Sequence, residues 1–172
     1  HMKDYRMNKV LFDLSQKCRT WLVRNPGSDG REKIAAYLKQ LLIDQDAINN
    51  LVPITAGERD LLYQDPDLGF CILAHNYSGP KTAPPHDHGP SWAIYAQVRG
   101  ETEMCEYDLV QQATDNTPGK VVVNKTYQMR PGDAYVYNEG VLHAPMRKEP
   151  TSLLRIEGTD MSKVKRLRYE QL

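Results

Sequence analysis

Two rhythms divide the chain. Over residues 4–24 the apolar positions Val10, Leu11, Leu14, Cys18, Trp21 and Leu22 return every three or four residues, the spacing that lays one stripe along a helix. Asn25-Pro26-Gly27 ends that helix, because proline and glycine cannot continue it. Asp29, with Glu32 three residues on, reads as the N-cap of a second helix. Its stripe is Ile34, Leu38, Leu41 and Leu42. A short third helix is predicted over 46–51, closed by Pro53.

From Gly69 the period shortens. Strands are predicted over 70–77, 91–99 and 102–110, the last two joined by Gly100-Glu101. Residues 113–119 read as a polar loop, and strands follow over 120–129, 134–138, 144–148 and 152–157. Many short strands between Gly and Pro turns argue a sandwich or a barrel. The helical third is expected to pack on the outer face of a sheet. The sequence has no internal repeat and no low-complexity tract.

Composition narrows the function. A chain of 172 residues can bury a sizeable core, and we expect residues 1–172 to form a single domain, helical over 1–52 and a barrel over 53–172. Twenty-two basic residues balance twenty-two acidic ones, so there is no basic footprint for nucleic acid. No apolar run is long enough for a bilayer, and residues 3–9 lead into no signal-peptide core. No nucleic-acid or membrane partner is expected. His1-Met2 reads as the scar of a cleaved tag, so His1 is not a candidate ligand. Cys18, Cys71 and Cys105 are odd in number and lack metal-type spacing, which favours a reduced, cytoplasmic setting.

Chemistry concentrates in Pro84-Pro85-His86-Asp87-His88-Gly89-Pro90. Positions i and i+2 of an extended segment share a face, so His86 and His88 can converge on one point. Neutral imidazole is the commonest side-chain metal ligand. The bland alternative is a pair of surface or turn histidines. His75 reads as an ordinary core or surface histidine on a strand.

With Gly100, Gly132, Gly140 and His143 following in order, the chain resembles the cupin superfamily. Two positions depart from its motifs: Ala93 stands where a Glu is usual, and Asn138 where a Pro is usual. Having three histidines and no Glu, and with Arg59-Asp60-Leu61-Leu62-Tyr63-Gln64-Asp65-Pro66 ahead of the first sheet strand, it is most similar to the cysteine dioxygenase-like branch. The likeness spans about residues 59–160. It implies a mainly β fold, the cupin double-stranded β-helix or jelly roll, with an N-terminal helical segment.

The resemblance also implies a site. His86, His88 and His143 would hold the metal, Fe(II) first, with Zn, Ni, Mn or Cu also open. Arg59 aligns with the arginine that grips a substrate carboxylate, a bidentate match; a surface arginine is the alternative. Ala93 supplies neither a carboxylate ligand nor the thioether crosslink of some members. Tyr95 and Gln97 share its face and would line the cavity or simply fill the barrel. Leu153, Arg155 and Glu157 fall where thiol dioxygenases carry a Ser-His-Tyr triad, and none of that triad is retained. Strand alternation leaves open whether Arg155 and Glu157 point inward or to water.

The leading expectation is a mononuclear non-haem iron dioxygenase acting on a small thiol or carboxylate, with dioxygen as co-substrate and Arg59 or Arg155 holding an anionic group. One alternative is a metal-dependent isomerase, lyase or decarboxylase with Glu157 as acid or base. The other is a cupin that binds a ligand without turnover.

Overall fold

A computed structural model describes residues 8–172; the expected first turn over 4–7 and the His1-Met2 scar lie outside them. Helix α1 spans Lys9–Arg24, and its first N–H groups are capped by Asn8, whose Oδ1 accepts from the Leu11 N–H at 3.0 Å. Helix α2 spans Ser28–Ile43 and starts earlier than expected: Gly27, at φ 80°, is its N-cap, and Asp29 lies within the first turn. The carboxylate of Asp29 accepts instead from Asn25 Nδ2 at 3.1 Å. Gly30 sits against the carbonyls of Asn25 and Trp21, where a Cβ would collide with main chain. Helix α3, Gln45–Leu51, is capped by Asp44.

Ten strands follow. β1 (Asp60–Gln64), β2 (Cys71–Tyr77), β9 (Thr151–Glu157), β4 (Ala93–Arg99) and β7 (Ala134–Tyr137) form one sheet in that order. β10 (Tyr169–Gln171), β6 (Gly119–Met129), β5 (Thr102–Gln111), β8 (Leu142–Arg147) and β3 (Lys81–Thr82) form the other. Among the described residues only β10 on β6 pairs in parallel. Eight of these strands, β2-β9-β4-β7 opposite β6-β5-β8-β3, give the double-sheet jelly roll. The segment 59–66, expected to precede the first strand, itself supplies β1.

Apart from its exposed edge strand β1, the first sheet is buried on both faces. Ile72, Ala74, Ile94, Ala96, Leu154 and Ile156 pack beneath the helices against Leu14, Ile34, Leu38 and Leu51. Fully burying each such side chain contributes roughly 1.5–3 kcal/mol. The helices therefore cover the outer face, as expected. The inner face carries Ala93, Tyr95 and Tyr137, which meet Met104 and Met129 of the second sheet. Register fixes what else points inward: Arg155 lies opposite both Leu73 and Tyr95, and Glu157 opposite Cys71 and Ala93. Among the described residues no helix is long and apolar enough to cross a membrane. All three cysteines are free.

Candidate metal centre

His86 and His143 are tied together through the main chain. The N–H of His86 donates to the His143 carbonyl at 3.0 Å and the N–H of His143 donates back at 2.9 Å, an isolated antiparallel bridge. Such a directly opposed pair holds its Cβ atoms about 5 Å apart. His143 belongs to β8, which begins at Leu142, two residues before the expected 144. His88 is delivered by a turn: Gly89, at φ 59°, donates to Asp87 Oδ1 at 2.9 Å, and the Ser91 N–H donates to the His88 carbonyl at 3.0 Å. A residue with a Cβ would be strained at Gly89.

Each of the three imidazoles offers one ring nitrogen within 4.8 Å of the others. Their orientation follows from the second nitrogen. His86 Nδ1 lies 2.8 Å from the Pro84 carbonyl and His143 Nδ1 3.0 Å from that of Val141. A carbonyl only accepts, so both Nδ1 atoms carry the proton and both Nε2 atoms present a lone pair. His88 Nε2 lies 3.3 Å from His143 Nε2, and the Tyr95 hydroxyl is 3.2 Å from the first and 3.3 Å from the second. One hydroxyl proton cannot serve both nitrogens, and His88 Nδ1 is buried with no partner among the described residues. This crowding of acceptors fits a bound cation.

Burial sets the charge state. Desolvation, with help from the neighbouring imidazoles and nearby arginines, pushes His86 down to about 4 and His88 and His143 far below the usual histidine range. All three are neutral at pH 7, the ligand form. Among the described residues no carboxylate joins the cluster. Tyr137 stacks on His143 at 4.5 Å, and its hydroxyl reaches Tyr127 at 2.7 Å, which donates to Glu106 at 2.6 Å.

The other expected site residues separate into groups. Tyr95 reaches the imidazoles. Gln97 is engaged elsewhere: its amide donates to the Arg99 and Gly100 carbonyls and accepts from Thr102. Arg155 and Glu157 point inward, resolving the open question about β9. The guanidinium of Arg155 lies 4.1 Å over the Tyr95 ring and 3.7 Å from Glu157, and its buried Nε has no partner among the described residues. Glu157, fully buried, accepts from Arg59 at 3.0 and 3.3 Å and from the Met161 N–H at 3.2 Å. Arg59 also donates to Asp160 at 3.1 Å. Its guanidinium is thus shared between two carboxylates.

One inward residue went unnoticed in the sequence. Arg147 is buried on β8, donates from Nε to Thr102 Oγ1 at 3.2 Å and lies 4.8 Å from the Tyr77 ring. Its parity with His143, four residues away on a strand, was the available signal. His75, read from the sequence as an ordinary core or surface histidine, is buried against Tyr77, with Nδ1 2.6 Å from the Glu58 carbonyl and Nε2 without a partner among the described residues; it takes no part in the three-histidine cluster.

No family model matches the chain, and neither does any curated protein. Solved structures do. A cupin superfamily protein from Desulfitobacterium hafniense is 15% identical, covers 59% of this chain and 76% of its own, and gives a TM-score of 0.42. KdgF from a Halomonas species is 20% identical over 58% of this chain and 75% of its own, with a TM-score of 0.42. A cupin-2 domain protein from Shewanella frigidimarina is 17% identical over 66% and 88%, with a TM-score of 0.41. The jelly-roll assignment for this chain rests on its own strand order.

Proposed function

We propose that the chain is a metal-dependent enzyme in which His86, His88 and His143 hold one divalent metal, Fe(II) by preference, and that it uses dioxygen to oxidise a small thiol or carboxylate. The observation that carries the reading is the convergence of three neutral imidazoles within 4.8 Å with no carboxylate among them. Such a donor set leaves a divalent ion its full charge and open positions for substrate and oxygen, and Fe(II) supplies the one-electron chemistry that dioxygen needs. The chain's own groups set the surroundings. Tyr95 aims its hydroxyl at the ligand nitrogens. Arg155 adds positive charge behind that ring, so the interior favours an anionic substrate. Arg59 braces Glu157.

The buried carboxylate of Glu157 favours a second reading, a metal-dependent isomerase, lyase or decarboxylase with Glu157 as acid or base. Protein loaded anaerobically with Fe(II) separates the two. Oxygen uptake on adding a panel of thiol acids, abolished in His86→Ala, supports the first. Turnover with no oxygen consumed sinks it in favour of the second. Failure of the wild-type protein to retain any divalent metal overturns both.

A further inference from the structure

Arg59 is spent on Glu157 and Asp160, and Arg155 lies against Glu157 and the Tyr95 ring, so the substrate's anionic group needs another partner. His86 forms one wall of a pocket of about 390 Å³, within the range of about 300–1,000 Å³ typical of small-molecule sites. Pro84, Pro85 and Leu167 give it apolar surface, and Arg166 and Arg168 come from the segment that follows the 3-10 turn Met161–Lys163. That wall is anchored. The Arg168 carbonyl accepts from the Gly119 N–H at 2.9 Å, β10 then pairs with β6, and Tyr169 packs on Val121 and Leu142.

Charge on the wall is uncompensated. Among the described residues neither Arg166 nor Arg168 has a side-chain ion pair, and the one carboxylate there, Glu170, is 3.1 Å from Lys120. Arg166 lies near enough for its charge to be felt at all three imidazoles. A guanidinium beside a partly apolar wall matches a carboxylate bidentately.

We propose that this pocket takes the substrate and that Arg166 holds its carboxylate, with the apolar body against Pro84, Pro85 and Leu167 and the reacting end at His86. The inference rests on the metal-dependent reading above and names its substrate class: a small carboxylate with an apolar body.

Benzoate and its uncharged counterpart benzamide test it, titrated calorimetrically into metal-loaded and metal-stripped protein. Benzoate should bind at least about tenfold tighter than benzamide in both forms, a difference of about 1.4 kcal/mol. Arg166→Met should erase that preference, and Arg168→Met should leave most of it. Arg166 is exposed, so the variant keeps its fold. Equal affinities, no measurable benzoate binding, or a preference that follows Arg168 instead would overturn the assignment. The stripped arm separates the two ideas. A preference that survives stripping and follows Arg166 supports the pocket even if the wild type takes up no metal. Metal uptake with no preference overturns the pocket alone.

Discussion

His86 and His143 exchange both main-chain hydrogen bonds, at 3.0 and 2.9 Å, although they lie 57 positions apart and His86 belongs to no strand. The two side chains are therefore set by backbone pairing. Each has its Nδ1 held by a carbonyl, and Tyr137 stacks on the second ring. A site arranged this way loses little entropy when an ion enters.

The first prediction concerns that ion. His86→Ala, His88→Ala and His143→Ala should each lose metal affinity by more than about 100-fold, since even the loss of a supporting outer contact typically costs about 10–100-fold. Elemental analysis after dialysis checks this. Full occupancy in all three variants would remove the metal reading.

The second concerns Glu157. It is fully buried and accepts from Arg59 and the Met161 N–H, with Arg155 3.7 Å away. Glu157→Gln leaves two guanidinium groups short of a counter-charge. Breaking one side of a buried pair costs about 3–5 kcal/mol, and since Arg59 keeps a third of its side chain in water, the lower end is expected here. Denaturant unfolding measures it, and a loss below about 1 kcal/mol would mean that the carboxylate does not brace β9.

The third concerns pH. His75 is held neutral, its pKa lowered first by burial and then by the charges of Arg155, Arg59 and Arg147. The unfolded chain takes up a proton at this residue below its ordinary value of 6.5, and the folded chain does not. Below that pH the unfolded state binds more protons, so stability falls as pH falls. Metal-stripped protein should have a lower denaturation midpoint at pH 5 than at pH 7, and His75→Gln should flatten that slope. An unchanged slope in the variant would count against a neutral, buried His75.

Legibility followed the physics of each segment. The histidines were readable because an i, i+2 pair and a distant partner in motif order constrain each other. The helices were readable from Leu14, Ile34 and Leu38, although Gly27 and not Asp29 caps α2. β9 defeated alternation: all seven of its residues are buried, one face under the helices and the other inside the barrel. β3 and β10 span two and three residues, too few for a period to show. Arg166 lies in a coil whose position is fixed by its neighbours, Gly119 and Tyr169, and nothing local in the sequence marks it.

The last prediction concerns Tyr95, whose hydroxyl stands close enough to the ligand nitrogens to be taken for a fourth ligand. Burial raises its pKa above the usual phenol value, against the lowering effect of Arg155 and Arg147. A phenol that keeps its proton is a poor donor to a metal, whereas it can still give a hydrogen bond to whatever occupies the open positions. Tyr95→Phe should therefore keep metal affinity within a few-fold and cost about 1 kcal/mol of stability, the typical net value of one hydrogen bond. Ferric protein should lack the visible charge-transfer band that a coordinated phenolate would give. A loss of metal comparable to that in His143→Ala, together with such a band in the wild type, would make Tyr95 a ligand and leave the metal one open position fewer.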